Sequence, residues 1–357
     1  MRYLFIFLFG LSLRIGVQAQ ELRYVDATAL TIVNKAQATA NPYHRIDTAR
    51  YRDLTAPAKR YLLHSAGIAV VFRTDSRTIA ARWRSCEHRL YNHMTGIAAT
   101  GLDLYIRRSG EWVPAGFACN RPAEAVHQAV IVEKMDSAEK ECLLYLPVMD
   151  QIVSLEIGVD PGARITAADN PFRHRIVVLG SSITHGIAAS RAGMAYPAQL
   201  ERRTGLEFIN LGISGNCKLD ASQARMIAQI SADAFVFDCF SNPLGPLIEE
   251  RLAEFVAIIR AAHPSTPLVF LQTVVRSTGN FNLERRAGEL HKRRAAAEGM
   301  RRLIAAGDRN LYFLDPGLDP GFDALVDGSH PSDLGFKLIT DRLEKQLPRI
   351  FRRYDIR

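Results

Sequence analysis

The spacing of apolar positions changes character once along the chain, near residue 170. Before that point, short apolar runs alternate with polar residues and are separated by turns such as Arg108-Ser109-Gly110. Alternation with a period of two is typical of β-strands, and close-set strands with no helical pattern between them predict an antiparallel β-sandwich. The predicted strands are 67–74, 78–84, 102–107, 129–132, 142–146 and 153–158, and we expect the last to complete the sandwich.

From Phe172 onward, apolar runs alternate with stretches of helical periodicity. Strands are predicted at 176–179, 208–211, 234–237, 268–272 and 311–314, and helices at 195–203, 222–230, 247–262, 283–306 and 332–347. Strands that alternate with amphipathic helices predict βαβ units and a parallel sheet covered on both faces. The chain is therefore predicted to hold an all-β sandwich over 20–170, followed by a three-layer, doubly wound α/β domain over 171–357.

Residues 1–19 have the pattern of a signal peptide. Arg2 precedes an apolar run that ends at Leu13, and the small residues Val17 and Ala19 stand before Gln20. A basic start, a short apolar core and small residues before the cut predict cleavage near Ala19 and export, either to a periplasm or out of the cell. The apolar run is shorter than the roughly 18 residues that a membrane anchor needs, so stable membrane insertion is not expected.

Composition adds few constraints. The hydrophobic fraction of 48% and the charged fraction of 23% are those of a globular protein. The net charge of +8 is scattered along the chain with no basic stripe interleaved with aromatic residues, which argues against nucleic-acid binding. The five cysteines have neither a disulfide framework nor metal-ligand spacing, so we interpret them as small buried apolar residues, with one pair among the first three as the alternative; they are Cys86, Cys119, Cys142, Cys217 and Cys239.

The strand at 176–179 ends at Gly180 and delivers two serines to the carboxyl edge of the sheet, where ligands bind in open α/β folds. Ser182 is the candidate nucleophile, and a serine needs a base because its hydroxyl is a weak nucleophile. Near the C-terminus, Asp327-Gly-Ser-His330-Pro can place a carboxylate on one imidazole nitrogen and leave the other free to take the serine proton. His185, three residues after Ser182, is too local to act as the base and is expected at the pocket mouth.

Two further loops could supply donors for a developing oxyanion. One follows the second strand and carries the glycines of Gly212-Ile-Ser-Gly215, and the other follows the third strand and carries Asn242. A glycine lets a backbone N–H approach a substrate closely, and an asparagine offers a side-chain N–H. The alternative for each loop alone is an ordinary turn.

Four blocks, taken in order, resemble the SGNH (GDSL-type) hydrolase family. They are Gly180-Ser-Ser-Ile183, Gly212-Ile-Ser-Gly215, Ser241-Asn242 and Asp327-Gly-Ser-His330-Pro331. The resemblance implies a flavodoxin-like domain that hydrolyses esters without metal or cofactor. It also implies Ser182 as nucleophile, His330 as base and Asp327 as its orienting acid, with the N–H groups of Ser182 and Gly215 and the side chain of Asn242 as oxyanion hole. The sequence departs from the family at Ser181, which stands where the name motif has Asp, and in block three, which lacks the usual G-x-N-D frame.

The stretch Gly101-Leu-Asp103-Leu-Tyr105 resembles the G-x-D-L-Y signature of a β-rich, jelly-roll-like domain found ahead of SGNH hydrolases in secreted bacterial proteins. For Asp103 and Tyr105 we expect structural roles, as a β-turn acid and a half-buried strand aromatic.

Together these observations predict an exported serine esterase that removes acyl groups, with acetyl the first expectation, from carbohydrates or other small esters. Two alternatives stay open: a lipid or phospholipid acyl hydrolase, and a non-catalytic carbohydrate-binding protein. The sequence has no H-E-x-x-H motif, no clustered metal ligands and no phosphate-binding glycine loop.

Overall fold

The first half of the chain folds into short strands. A computed structural model describes residues 21–86, 89, 91–119, 126–315 and 322–357, so the predicted signal peptide lies outside the described residues. In chain order the strands of this half are β1 (Arg23–Asp26), β2 (Thr31–Val33), β3 (Ala69–Thr74), β4 (Ile79–Ser85), β5 (Leu102–Arg108), β6 (Glu111–Ala118), β7 (Val126–Val132), β8 (Lys140–Tyr145), β9 (Ile152–Val159) and β10 (Ile165–Ala167).

These strands form two antiparallel sheets that enclose one apolar core. One sheet has the order β1-β9-β4-β7, and the other has the order β10-β3-β8-β5-β6 with β2 paired to β3. Phe72, Leu104 and Leu144 project from the second sheet into the same cluster as Trp83 and Leu155 from the first. The predicted β-sandwich is therefore confirmed.

This half differs from the prediction in three respects. First, β1, β2 and β6 lie outside the predicted strands. The strand at 153–158 is not the last, because β10 follows it and pairs with β3. Two short helices, α1 (Ala56–Leu63) and α2 (Gly96–Thr100), also interrupt the strands. Thr55 caps α1 by accepting a hydrogen bond from the N–H of Ala58, and Pro57 stands in its first turn, both ordinary helix-start signals that the alternating pattern around them obscured.

The second half alternates strands and helices as predicted. Its strands are β11 (Arg173–Gly180), β12 (Leu206–Gly212), β13 (Ala234–Asp238), β14 (Leu268–Leu271) and β15 (Leu311–Leu314), and its α-helices are α3 (Ser182–His185), α4 (Tyr196–Thr204), α5 (Ala221–Ile227), α6 (Gly245–Ala262), α7 (Leu283–Ala305) and α8 (Asp333–Phe351). All strand pairs are parallel, in the order β12-β11-β13-β14-β15. This order reverses direction beside β11, so the loop after β11 opens at the topological switch point, where such sheets bind ligands.

Successive residues of β11 point to opposite faces of the sheet. Val177 and Leu179 join the apolar cluster that includes Phe255 of α6. Val178 joins the cluster that includes Phe336 of α8. Helices therefore cover both faces, which gives the predicted three layers.

Apolar packing continues between the two halves of the chain. Ile46, Leu54 and Leu62, which precede the main strands of the sandwich, belong to the same cluster as Val177 and Leu179 of β11. The domain boundary near residue 170 stays a prediction, and one apolar cluster contains residues from both sides of it. None of the helices in the described ranges is long and apolar enough to cross a membrane.

Candidate active site

The loop after β11 holds Ser182 at the start of a short helix. A Cβ atom on Gly180 would lie 1.9 Å from Oγ1 of Thr184, so only glycine allows the chain to turn this tightly. Ser181 is buried, and its Oγ accepts a hydrogen bond from the N–H of Ile183, which caps α3. Ser182 is the first helical residue, and its Oγ faces His330.

The loop before α8 brings an imidazole and a carboxylate to this serine. His330 Nε2 lies 2.9 Å from Ser182 Oγ, and His330 Nδ1 lies 2.7 Å from Asp327 Oδ2. Asp327 Oδ1 also accepts hydrogen bonds from the N–H groups of Ser329 and His330, and Gly328 has a φ of 77°. The three residues proposed from the sequence are thus connected by hydrogen bonds. Ser182 and His330 are 148 positions apart in the chain, and His330 and Asp327 are 3 positions apart.

The protonation states suit proton transfer from the serine. Burial lowers the pKa of His330 below its usual value and outweighs the opposing effect of Asp327, so the imidazole is neutral near pH 7. Burial opposes ionisation of Asp327, but hydrogen bonds from the side chain and N–H of His330 and from Ser329 outweigh it and lower the pKa of Asp327. The pair is therefore a neutral base beside a carboxylate.

The two loops expected to supply oxyanion donors lie on either side of this nucleophile loop, since β12 and β13 both pair with β11. Asn242 Oδ1 accepts a hydrogen bond from the N–H of Cys217, 3.2 Å away, which fixes the orientation of the Asn242 amide. Gly215 is exposed and has a φ of 70°. Within the described ranges, Asn242 Nδ2 and the N–H groups of Ser182 and Gly215 donate to no protein acceptor.

Two hydrogen bonds hold α3 from the side opposite His330. Thr184 Oγ1 donates to Asp238 Oδ2 at 2.9 Å, and burial raises the pKa of Asp238 to about 7. Asn210 Nδ2 donates to the carbonyl of Thr184 at 2.7 Å. His185, expected at the pocket mouth, is instead fully buried and packs against His64, with ring centroids 5.4 Å apart. That expectation is wrong because α3 turns its fourth residue into the interior.

Arg45 is a buried cation that sequence reasoning missed. It is fully buried, and its guanidinium donates to the carbonyls of His64, Asn210 and Gly212 at 2.9 to 3.1 Å. Burial lowers its pKa to about 9. It fixes the end of β12, from which the Gly215 loop departs. The sequence carries no local signal for it, because its acceptors are backbone carbonyls of distant residues.

Two further cations, Arg276 and Lys292, hold the loop that carries Asn242. Arg276 donates to the carbonyl and to Oγ of Ser241 at 3.0 and 2.8 Å, and Lys292 donates to the same carbonyl at 3.1 Å. Glu289 accepts from both cations. Charged residues are frequent along α7, but Lys292 is only 3% exposed. The inward face of α7 therefore anchors the loop that follows β13.

The first half of the chain contributes directly to the site. The ring of His93 stacks on that of His330, with centroids 5.2 Å apart and an interplanar angle of 29°. One ligand atom each of His93, Asp327 and His330 lie within 4.8 Å of one another, as the ligands of a divalent cation would. Both ring nitrogens of His330 already face hydrogen-bond partners, Ser182 and Asp327, so a cation bound through this ring would displace one of these two contacts.

The two motif residues of the first half lie where the halves meet. Both carboxylate oxygens of Asp103 accept from Arg191 Nη1 at 3.0 Å, and Asp103 also accepts from the N–H of Gly193 at 2.8 Å. The hydroxyl of Tyr105 also pairs with Arg191, and Arg202 lies over its ring, 4.0 Å from the centroid. Asp103 and Tyr105 were expected as a turn acid and a half-buried aromatic. Both are instead buried within β5, because a segment of the other half covers them.

The segment that covers Asp103 and Tyr105, which includes Ser190 and Arg191, also contacts the start of α8 next to the His330 loop. Ser190 donates through its N–H to Asp333 Oδ1 at 2.9 Å, and its carbonyl accepts from Thr95 Oγ1 at 2.5 Å. Asp333 is the first residue of α8, three positions after His330. Contacts from Asp103 through Arg191 and Ser190 to Asp333 therefore connect the sandwich to the loop that carries the imidazole.

Two open clefts border the His330 loop. One, of about 450 Å³, is lined by Ser329, Arg276, Arg285 and Leu244 among others. The other, of about 490 Å³, is lined by His93, Met94, Val326 and Leu334 among others. Clefts of this size beside the Ser182–His330 pair are large enough for a small ester and part of the molecule that carries it.

Comparison with known proteins decides the family. The sequence pattern of the GDSL-like lipase/acylhydrolase family matches residues 173–348. The pattern of the N-terminal domain of SGNH-type esterases, named for its GxDLY motif, matches residues 22–165. The crystal structure of a GDSL-like lipase from Bacteroides ovatus is 42% identical with a TM-score of 0.89, covering 93% of this chain and 98% of that one. The chain belongs to the GDSL-like lipase/acylhydrolase family.

More distant structures share the fold. The salicylyl-acyltransferase SsfX3 from a tetracycline biosynthetic pathway is 22% identical with a TM-score of 0.72, covering 92% of this chain and 97% of that one. A family two carbohydrate esterase from Clostridium thermocellum, in complex with cellohexaose, is 13% identical with a TM-score of 0.55, covering 80% and 92%. No curated protein sequence matches the chain.

Proposed function

We propose that this esterase is an exported serine hydrolase that removes acyl groups, acetyl first among them, from carbohydrates. The observation that carries the proposal is the continuous set of contacts from Ser182 Oγ to His330 Nε2 and from His330 Nδ1 to Asp327. The leader pattern of residues 1–19 supports export. The esterase bound to cellohexaose, which has the same fold, supports a saccharide as the carrier of the ester.

In the proposed mechanism His330 Nε2 takes the proton of Ser182 as Oγ attacks the ester carbonyl. The N–H groups of Ser182 and Gly215 and the Nδ2 of Asn242 then donate to the oxyanion of the tetrahedral intermediate. Collapse of that intermediate releases the alcohol, protonated by His330, and leaves an acyl group on Ser182. Water activated by the same imidazole releases the acid, while Asp327 holds the ring and stabilises its charged form.

Replacement of the nucleophile tests this proposal. Ser182→Ala should lower kcat/KM for p-nitrophenyl acetate by roughly 10⁴-fold or more, because the triad members act as a unit. Ser181→Ala is the matched control, since its hydroxyl caps α3: it should cost about 1 kcal/mol of stability and keep most of the activity. Full activity of the folded Ser182→Ala protein would refute the mechanism.

A lipid acyl hydrolase is the second candidate, and one observation favours it. Leu244, which lines the first cleft, is 67% exposed, and Phe281 and Leu283, which flank the cleft residue Asn282, are 91% and 73% exposed. Exposed apolar side chains beside a site can bind an acyl chain or a lipid surface. An aromatic ring such as Phe281 also fits the face of a sugar.

A substrate series separates the two candidates. Acetylated saccharides and p-nitrophenyl esters from acetyl to long chain should be compared with phospholipid vesicles, with Phe281→Ala in parallel. The proposal expects the highest kcat/KM for acetyl esters and deacetylation of saccharides that Phe281→Ala weakens through KM. A steady rise with chain length and turnover of vesicles would instead establish the lipid hydrolase.

A further inference from the structure

Two buried cysteines meet beneath the proposed oxyanion hole. We propose that Cys217 and Cys239 are joined by a disulfide bond in the mature protein, and that the bond fixes the two loops carrying Gly215 and Asn242. Its significance for catalysis rests on the proposed function, whereas its existence can be tested without it.

The two sulfur atoms are already close. Cys217 Sγ and Cys239 Sγ are 3.0 Å apart, nearer than non-bonded sulfur atoms ordinarily pack, and both residues are fully buried. A disulfide has a sulfur–sulfur distance of about 2.05 Å, so closing the bond requires a movement of roughly 1 Å. This pair was not among those considered from the sequence, because a separation of 22 residues gives no indication that two loops meet.

The pair lies under the end of the central strand. Cys217 is in the loop after β12, and Cys239 directly follows β13, so the two residues come from the strands on either side of β11. Cys239 Sγ also lies 3.4 Å from the carbonyl of Leu179, the residue before Gly180. A bond here would span the base of the turn that presents Ser182.

The bond would act on the proposed donors at short range. Gly215 is two residues before Cys217, and Asn242 is three residues after Cys239. The N–H of Cys217 already donates to Asn242 Oδ1 at 3.2 Å. A covalent link would hold the backbone N–H of one loop and the amide of the other at a fixed separation. Donors held before the reaction stabilise an oxyanion without reorganisation.

The chemistry requires an external disulfide as oxidant. Two thiols lose two protons and two electrons as one sulfur–sulfur bond forms, and the electrons reduce the disulfide of an oxidoreductase or of oxidised glutathione to thiols. Burial raises the pKa of Cys239, so its thiol reacts poorly once packed, and the exchange must precede packing of the loops. Once formed, the bond is shielded from reductants.

Peptide mapping of the full chain tests the proposal directly. The protein is refolded in a glutathione redox buffer, denatured without reductant, alkylated and digested for mass spectrometry. We expect the peptides containing Cys217 and Cys239 to be linked and to carry no alkyl group. Alkylation of both residues, or linkage of either to another cysteine, would overturn the proposal. Because the buffer supplies the oxidant, the result is independent of export.

Substitutions test the consequence for the loops. Cys217→Ala, Cys239→Ala and the double variant should lower the unfolding midpoint by a similar amount, since each removes the same bond, and should lower kcat several-fold with a smaller change in KM. Cys142→Ala, which removes a buried thiol from the sandwich core, is the control. Added reductant should lower the denaturant concentration at the unfolding midpoint for the wild type and for Cys142→Ala, which keep the bond. It should not lower that concentration for the variants that lack Cys217, Cys239 or both. An unchanged wild-type midpoint would contradict the bond.

If Ser182→Ala kept esterase activity while the linked peptides were found, the proposed function would fail and the disulfide would stand. If Ser182→Ala lost activity and both thiols were alkylated, the proposed function would stand and the disulfide proposal would fail.

Discussion

At the scale of single residues, the state of His330 depends on what covers it. The ring of His93 shields one face of the imidazole from water and places a second ionisable ring beside it. Burial of the whole His330 side chain, with smaller contributions from His93 and Arg276, disfavours its charged form and outweighs the stabilisation of that form by Asp327. The His330 imidazole therefore loses its proton at a lower pH than an exposed histidine would.

The pH dependence of ester hydrolysis should show this effect. As pH rises, kcat/KM should increase with loss of the His330 proton, with an apparent pKa below the usual histidine value of about 6.5. In His93→Ala the acidic limb should move to higher pH, because the pKa of His330 rises when the covering ring is removed. Asn92→Ala, its exposed neighbour, is the control. Coincident acidic limbs for His93→Ala and wild type would show that His93 does not tune the base.

At the scale of elements, the parallel sheet assembles the site because consecutive strands end at one edge. β11 delivers Ser182, β12 leads into the Gly215 loop, and β13 leads into the Asn242 loop. The left-handed backbone of Gly215 sets the direction of its N–H, and a Cβ atom there would meet nothing within 4 Å. A substitution at this position therefore acts through the backbone rather than through a clash.

Gly205 offers a matched comparison for that backbone effect. It ends α4 with a φ of 72°, against 70° for Gly215, and a Cβ atom would also meet open space there. Alanine at either position should cost about 1–2 kcal/mol of stability, since the left-handed region disfavours a side chain. Gly215→Ala should in addition lower kcat by up to roughly 10²-fold, measured with p-nitrophenyl acetate. Equal kcat values for the two variants would remove Gly215 from the proposed oxyanion hole.

An element can be predicted from the sequence when neighbouring residues carry the pattern, and it cannot when the deciding contacts come from residues distant in the chain. The strands of the second half are continuous β-branched and aromatic runs, so Leu311–Leu314 was predicted to the residue. β6 was missed because Pro114 and Gly116 interrupt its alternation. The contact between Ser182 and His330 could be anticipated from strand order. The burial of Arg45 and Lys292 could not, because the carbonyls that accept from these cations are brought near only by the fold, although Lys292 also pairs with Glu289 three residues before it.

At the scale of the whole molecule, the GxDLY residues connect the sandwich to the loop that carries His330. Burial of Asp103 raises its pKa, although Arg191 and the N–H of Gly193 favour its ionised form. Removing one partner of a buried pair leaves the other without compensation, which is more costly than losing an exposed pair. Arg191 is followed in contact by Ser190 and Asp333, so a disturbance of the Asp103–Arg191 pair can reach the loop that carries His330.

Asp103→Ala should therefore lower both stability and turnover. We expect a loss of roughly 3 kcal/mol in the free energy of unfolding and a fall in kcat larger than any rise in KM, because the imidazole loop is positioned less well. Asp75→Ala, which removes an exposed partner of Arg164 in the same sandwich, is the control and should leave turnover unchanged. Chemical denaturation and steady-state kinetics measure both. A destabilised Asp103→Ala protein with normal kcat would limit the motif to a role in folding.

The packing of Ile46, Leu54 and Leu62 against the α/β sheet also bears on protein engineering. A truncation at the family boundary near residue 173 would strip this segment from the sheet and expose its apolar face to solvent, and it would remove Arg45 from the end of β12. If the hydrolase domain is to be moved to another scaffold, it must therefore retain the stretch from Arg45 to Leu62, either grafted onto the domain or supplied as a separate peptide.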